Sequence, residues 1–103
     1  MDNFMRFQEA HPNATVYVTG FSLGGVEATY TAIDLNKDGI RANLMTFGSP
    51  RPGNVKFAKF ANSQLKGLNY RITYKNDKIP VLPDLSSGYH HVGTEVKNTL
   101  TKM

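Results

Sequence analysis

VYVTGFSLGG, at residues 16–25, places a serine between two glycines directly after a run of β-branched and aromatic residues. Such a run is typical of a strand. The residues after the serine contain no proline and repeat apolar side chains every three or four positions, which predicts a helix: Leu23, Val26, Tyr30 and Ile33. A strand that turns directly into a helix at G-x-S-x-G is the setting of a nucleophile elbow, a bend that exposes its serine at the edge of a sheet.

Ser22 has two interpretations at this point. In an elbow, side chains two residues before and after the serine would collide, so we expect glycine to be required at 20 and 24. Ser22 would then be a nucleophile at the start of a helix, where the backbone N–H of Leu23 can stabilise a developing oxyanion. The same glycines also suit a tight turn in which Ser22 caps the helix. No Gly-Lys-Ser/Thr follows, so a phosphate-binding loop is excluded.

The rest of the chain alternates helices and strands. We predict helices at 2–11, 22–35 and 54–65, strands at 14–19, 42–47 and 70–74, an irregular stretch at 76–88, and a short strand or helix from there to Met103. Asn54 is expected to cap the third helix. This alternation predicts an α/β fold with about three parallel strands joined by helical crossovers. No linker or repeat is present, so residues 1–103 are taken as a single domain.

Composition excludes several classes of protein. The chain of 103 residues has no cysteine, which excludes disulfides, thiolate metal sites and a cysteine nucleophile. Its net charge of +4 comes from scattered basic residues without an interleaved aromatic platform, so we expect no nucleic-acid binding. No apolar stretch approaches the roughly 18 residues of a membrane span. The first residues hold acids and no apolar block, so we expect no signal peptide there.

A serine nucleophile needs a base and a carboxylate that orients the base. In this architecture the chain order is serine, acid, histidine, and only His90 and His91 follow Ser22. Asp77 comes directly after the third predicted strand, at the carboxyl end where parallel sheets place their sites. Asp84 is the substitute acid. The two adjacent histidines project in different directions and no spacing resembles a zinc site, so we expect no metal, and the chemistry needs no cofactor.

Three stretches resemble the class 3, or fungal-type, triacylglycerol lipases of the α/β-hydrolase fold: VTGFSLGG at 18–25, TFGSPRPGN at 46–54 and YRITYKNDKIPVLPDLSSGYHHVGTEV at 70–96. The resemblance implies lipase or esterase activity with Ser22 as nucleophile. It places Asp77 as the acid, in the family's Asp-x-Val/Ile-Pro-x-Leu-Pro segment. It places His91, rather than His90, as the base, in the segment Gly-Tyr/Phe-x-His-x-Gly-x-Glu. The implied substrate is an ester or acylglycerol, met through transient contact with a lipid interface. Family members are often secreted, and the localisation of this chain stays open.

Two departures from the family pattern carry expectations. The family usually has histidine where this chain has Phe21, and we expect phenylalanine to fill the same pocket without the polar contact. Family domains are more than twice as long, and this chain resembles their C-terminal half, a truncated α/β-hydrolase. The first predicted strand then has an open flank, which predicts a homo-oligomer completed through that edge or a half of a larger protein. The alternative function is an inactive half that serves as an interaction module or needs a partner chain.

Overall fold

The computed structural model describes residues 2–98 of the chain, with side chains from Arg6 onward. Helices and strands follow one another in this order: α1 (Asp2–Ala10), β1 (Val16–Phe21), α2 (Leu23–Lys37), β2 (Ala42–Phe47), β3 (Gly53–Asn54), α3 (Val55–Gln64), β4 (Asn69–Tyr74), β5 (Tyr89–His90) and β6 (Thr94–Asn98). Short 3₁₀ turns at Ile79–Val81 and Leu85–Ser87 interrupt the connection from β4 to β5. Within the described residues, no helix has the length and apolar character needed to cross a bilayer.

The main sheet consists of parallel strands in the order β1-β2-β4-β6. The predicted α/β fold is therefore confirmed, but the sheet has four strands rather than about three. The extra strand, β6, pairs with β4 from Tyr70↔Thr94 to Tyr74↔Asn98. The separate antiparallel pair of β3 and β5 was not predicted, because two residues per strand are too few to show an alternating pattern. Residues 99–103 of the last predicted segment lie outside the described part.

The predicted bounds agree best where the pattern is local. β2 has the predicted bounds, and Asn54 caps α3 as expected, since its Oδ1 accepts a hydrogen bond from the Phe57 N–H at 2.8 Å. β1 was predicted at 14–19 but runs from Val16 to Phe21. The reason is its pairing, because the parallel register with β2 continues to the end of both strands. A partner strand that lies far along the chain thus decides where β1 ends.

The core lies between the sheet and the helices α2 and α3. Its buried apolar residues come from both helices, from β2 and from the segment before β6: Ala28, Ala32, Ile33, Leu44, Ala58, Ala61, Leu65 and Val92. Alternate residues of a strand point to opposite faces of its sheet. The other face accordingly carries Tyr17 and Phe21 of β1, which are 57% and 71% exposed. Parallel sheets are normally covered on both faces, so this face is open to a further layer.

We predict that β1 pairs with a second chain through its free edge. Among residues 2–98, β1 has a sheet neighbour on one side only. An edge strand presents unpaired N–H and C=O groups, and a lysine on such a strand discourages pairing. We therefore expect the parent chain to associate as its concentration rises, and Tyr17→Lys to shift it toward monomer, measured by size-exclusion chromatography with light scattering.

Phe60→Lys is the matched control for this prediction. Phe60 is also an exposed aromatic residue, at 45%, but it lies on α3 rather than on the sheet. The control should associate as the parent chain does. A parent chain that stays monomeric at every concentration, or a control that dissociates as fully as Tyr17→Lys, contradicts pairing through β1.

Candidate active site

Ser22 joins β1 to α2 in a backbone conformation that a non-glycine residue rarely adopts. Its φ is 55° and its ψ is −124°, and within the described residues no other non-glycine residue has a positive φ. Strain of this kind amounts to about 1–3 kcal/mol and persists only where the surroundings impose it. The Ser22 N–H donates to the Phe47 carbonyl at 2.8 Å, so the neighbouring strand holds the bend. A strained serine between a strand and a helix is the geometry of a nucleophile elbow.

The glycines around Ser22 differ in what they allow. A Cβ added to Gly20 would lie 2.1 Å from the Gly24 carbonyl oxygen, and one added to Gly25 would lie 2.5 Å from the Cβ of Ser49. A Cβ added to Gly24 would meet nothing within 4 Å. Glycine is thus required at 20, as expected, and also at 25, which the elbow pattern did not single out. The expectation for 24 is wrong for the described residues, because that position faces open space.

The hydroxyl of Ser22 does not cap α2. No side-chain hydrogen bond joins it to the first turn of the helix, so the capping interpretation is wrong. The first N–H groups of a helix have no partner within the helix, and Leu23 is the first residue of α2. An unused hydroxyl therefore lies next to backbone donors that can stabilise an oxyanion.

Asp77 lies at the same edge of the sheet as Ser22. Its Oδ1 accepts a hydrogen bond from the Ile79 N–H at 3.0 Å. Its Oδ2 lies against Gly48, where an added Cβ would come within 2.7 Å of it. Gly48 directly follows Phe47, whose carbonyl accepts the Ser22 N–H. Ser22 and Asp77 therefore lie on either side of the carboxyl end of β2. Ser22 follows β1 and Asp77 follows β4, and with β2 between these strands the spacing is roughly 10 Å. The substitute acid, Asp84, is exposed, and its carboxylate caps no turn.

The structure does not join either histidine to Ser22 or Asp77. The Nε2 of His91 lies against the Pro80 carbonyl, and its Nδ1 is buried without a hydrogen-bond partner among residues 2–98. His90 belongs to β5, and both histidines lie on the segment that returns from the carboxyl edge of the sheet to the start of β6. The role of His91 as base stays a prediction, and the ring as placed offers neither nitrogen to Ser22.

Burial lowers the pKa of the His91 imidazole from its ordinary 6.5 to about 4. The Pro80 carbonyl opposes this shift, the positive charges of Arg71 and Arg51 add to it, and the carboxylate of Glu95 raises the pKa slightly. The ring is therefore neutral near neutral pH. Because a carbonyl only accepts hydrogen bonds, Nε2 carries the proton of this neutral ring and Nδ1 is the bare nitrogen.

Apolar side chains are exposed on the elbow and on the segment that follows Asp77. Phe21 and Leu23 are 71% and 67% exposed, and Val81 and Leu85 are 53% and 59% exposed. The expectation that Phe21 fills a pocket is wrong for the described residues, because β1 is an edge strand and Phe21 points to its open face. In the part of the chain that the structure describes, no group of three or more histidine and acidic side chains could hold a metal ion.

Arg51 is a residue of the site that motif analysis missed. It lies in the loop between β2 and β3, and its Nη1 donates to the carbonyls of Val81 and Pro83, each at 2.7 Å. Its backbone N–H donates to the Leu82 carbonyl, also at 2.7 Å. Arg51 thus connects the loop after β2 to the segment that follows Asp77. The available sequence signal is weak, since it is a lone arginine between two prolines.

A parallel sheet with crossover helices and a serine elbow at its carboxyl edge defines an α/β-hydrolase. The family profile described as "Lipase (class 3)" matches residues 1–87. The secreted mono- and diacylglycerol lipase 1 of Fusarium solani is 46% identical to this chain over 86 residues, which is 84% of the chain. The chain belongs to the class 3 lipase family, as the resemblance predicted.

Solved structures agree with this assignment. A mutant of MDLA from Penicillium cyclopium superposes with a TM-score of 0.88 at 40% identity, over 96% of this chain and 36% of that one. A triacylglycerol lipase, whose catalytic centre is described as a serine protease triad, gives a TM-score of 0.91 at 33% identity, over 96% and 39% of the two chains. The present chain spans about a quarter, 26%, of the length of the Fusarium protein.

We predict that alanine is harmful at position 20 and harmless at 24. The methyl group of Gly20→Ala meets a backbone carbonyl that cannot move without unwinding the start of α2, so we expect a loss of about 1–3 kcal/mol in the free energy of unfolding. Gly24→Ala has open space and lies inside a helix, where alanine is favoured by about 0.5–1 kcal/mol. Urea unfolding of both variants and the parent is the measurement. Equal losses for the two variants contradict the geometry.

We predict that His91 makes the chain less stable in mild acid. Because the pKa of His91 is about 4 in the folded chain and 6.5 ordinarily, the unfolded state binds the extra proton between these values. The stability that the neutral His91 contributes is fully present above the ordinary pKa of 6.5. It falls as the pH drops and stops falling below the folded-state pKa of about 4. From pH 7 to 5 we expect a loss of about 1 kcal/mol, less than the full pKa shift would give, because the ring is only half-buried and solvent screens its charge.

His91→Gln is the comparison for this prediction. Glutamine keeps a donor for the Pro80 carbonyl but has no ring to titrate, so urea unfolding of the variant should lack this acid-dependent loss. Glu95, whose pKa the Thr73 hydroxyl lowers, titrates at lower pH and is present in both chains. Identical pH profiles for parent and variant contradict the prediction.

Proposed function

We propose that this chain carries the nucleophile and the acid of a serine carboxylic-ester hydrolase that acts on acylglycerols. The observation that carries the proposal is the strained Ser22, whose unused hydroxyl lies at the start of α2. Asp77 follows β4 at the same edge of the sheet, and its Oδ2 lies near Gly48 at the end of β2, which suits the acid of a triad. The acylglycerol substrate is supported by the relative from Fusarium solani, which is named a mono- and diacylglycerol lipase.

In the proposed reaction, the Ser22 hydroxyl attacks the ester carbonyl while an imidazole takes its proton. The carbonyl oxygen becomes an oxyanion, which the Leu23 N–H stabilises at the start of α2. The tetrahedral intermediate collapses, the imidazolium protonates the departing alcohol, and an acyl-enzyme remains. Water, deprotonated by the same imidazole, then releases the fatty acid and restores the serine. Asp77 orients the imidazole and stabilises its charged form.

The imidazole of this scheme has to lie between Ser22 and Asp77. His91 would first have to leave the Pro80 carbonyl and the buried site of its Nδ1. A ring whose pKa is about 4 is also a weak base near neutral pH. The geometry therefore favours a histidine supplied from outside the described residues, by a longer chain or a partner, over His91.

An apolar rim supports the lipid substrate and transient contact with a lipid interface. Phe21 and Leu23 flank the nucleophile, and Val81 and Leu85 follow the acid, all more than half exposed. Exposed apolar patches of this kind mark binding surfaces.

The alternative, a half that is inactive until a partner chain or further segment completes it, is favoured by a separate observation. β1 is an edge strand, and its outer face exposes Tyr17 and Phe21 where parallel sheets are normally covered. The relatives named above are also much longer than this chain. The two functions differ in one measurable quantity, the reactivity of Ser22 in the isolated chain.

Labelling with a fluorophosphonate probe tests the proposal. We expect the probe to label the parent chain at Ser22 and to leave Ser22→Ala unlabelled. Ser63→Ala is the matched control, because Ser63 is an exposed serine on α3, and it should label as the parent does. If the base is missing from the chain, free imidazole should raise the labelling rate of the parent at least about tenfold. Labelling of Ser22→Ala equal to that of the parent ends the hydrolase proposal.

The acid and the base are tested in the same assay. With free imidazole present, Asp77→Asn should label at least about tenfold more slowly than the parent, whereas Asp84→Asn should not change the rate. If His91 is the base after all, His91→Gln loses labelling and free imidazole rescues that variant rather than the parent. If the base lies elsewhere, His91→Gln and the parent label alike and both respond to imidazole.

A further inference from the structure

In the segment that follows Asp77, each backbone carbonyl of residues 80–83 accepts a hydrogen bond from a residue outside the segment. The Pro80 carbonyl accepts from His91 Nε2. The carbonyls of Val81 and Pro83 accept from Arg51 Nη1, and that of Leu82 from the Arg51 N–H, each at 2.7 Å. The segment belongs to no sheet and two of its residues are prolines, so these carbonyls have no ladder to pair with. Two residues, Arg51 and His91, make all four of these hydrogen bonds.

Asp77 is attached directly to this held segment. Its Oδ1 accepts from the Ile79 N–H at 3.0 Å, and the Leu82 N–H donates back to the Ile79 carbonyl at 3.0 Å. The direction of the carboxylate therefore follows from the position of Ile79. With Ile79 fixed, the second oxygen of Asp77 is directed at Gly48.

Arg51 also connects this segment to the nucleophile. It lies in the loop that begins at Gly48, directly after the Phe47 carbonyl that accepts the Ser22 N–H. One nitrogen of its guanidinium, Nη1, donates to two carbonyls that lie two residues apart, through two N–H groups held in the guanidinium plane. The loop thus holds the acid and the nucleophile in one arrangement.

The hydrogen bond of His91 assigns its tautomer. The Pro80 carbonyl has no proton to donate, so the proton lies on Nε2. Nδ1 is buried in a small space near Thr46 and Arg71, away from solvent. In this position His91 acts as a hydrogen-bond donor to the backbone.

We propose that Arg51 and His91 are positioning residues, which hold the carbonyls of residues 80–83 and thereby aim the Asp77 carboxylate at the imidazole of the triad. The proposal rests on the proposed function for its catalytic consequence, since the aim of Asp77 matters only if Asp77 orients a base. Its structural part, the holding of the segment, stands on the contacts alone.

Hydrogen exchange of the full chain, followed by NMR, tests the structural part. Arg51→Lys keeps the charge, but its ammonium lies one bond short of the Nη1 position and its N–H groups are not fixed in a plane. We therefore expect the amides of Asp77, Ile79, Val81 and Leu82 to exchange about tenfold faster. Arg41→Lys is the matched control, because Arg41 is exposed and lies at the other end of β2. The amides inside β2 should not change in either variant. Unchanged exchange in Arg51→Lys, or equal changes in the control, overturns the proposal.

His91→Gln and His91→Leu separate a positioning role from a structural or a basic one. Glutamine can donate from its terminal nitrogen as Nε2–H does, whereas leucine cannot donate. We expect protection of the segment to survive in the glutamine variant and to be lost in the leucine variant, and long-range ¹H–¹⁵N spectra of the parent to show the Nε2–H tautomer. Equal loss of protection in both variants, or an Nδ1–H tautomer, overturns the role of His91. If the leucine variant does not fold, the tautomer and the glutamine variant decide.

The catalytic part is measured with p-nitrophenyl butyrate, with free imidazole present. Arg51→Lys should lower kcat about ten- to a hundredfold and leave KM unchanged, because a displaced acid weakens the transition state rather than substrate binding. Arg41→Lys should match the parent. An unchanged kcat with faster exchange overturns the catalytic consequence alone. An inactive parent that also resists the fluorophosphonate probe counts against the proposed function, and the exchange result still decides whether the segment is held.

Discussion

The hydrogen bond from the Ser22 N–H to the Phe47 carbonyl is the constraint on which the rest of the site depends. It extends the pairing of β1 and β2 by one residue and holds a serine at a φ of 55°. Strain of about 1–3 kcal/mol at that residue has to be offset by packing around it. Gly20 and Gly25 permit that packing, because Gly24 and Ser49 approach them more closely than a side chain would allow. The position of the hydroxyl is therefore a property of sheet, bend and helix together.

The carboxyl edge of the sheet explains why two of the three expected groups lie at one edge although no contact joins them to the third. Ser22 follows β1 and Asp77 follows β4, and strands that run parallel end on the same side. His91 instead lies on the segment that returns toward the start of β6, where its ring contacts Pro80 and faces the interior. Its Nε2 faces the Pro80 carbonyl and its Nδ1 is buried near Thr46 and Arg71. The directions of the two ring nitrogens, rather than distance from the edge of the sheet, thus separate the histidine from the serine.

The sequence predicted most where the signal is local. The apolar pattern of β2 and the capping Asn54 were enough, because each depends on a few neighbouring residues. The elbow was also predictable, since G-x-S-x-G at a strand-to-helix junction leaves the backbone few choices. The pairing of β6, the partners of His91 and the contacts of Arg51 were not, because each depends on carbonyls far along the chain that no side-chain pattern marks. A motif identifies candidate residues such as His91, but the folded backbone determines which groups the nitrogens of His91 and Arg51 contact.

The loop between β2 and β3 has a consequence for the changes in length that this chain can accept. Surface loops usually vary in length and accept insertions. This loop begins at Gly48, which lies against the Asp77 carboxylate. It continues through Arg51, which donates hydrogen bonds to the segment that follows Asp77. One added residue would shift both contacts at once, so we expect this loop to tolerate a change in length less well than surface loops usually do. Changes at the exposed side chain of Leu23, which lies outside this loop, would leave both contacts in place.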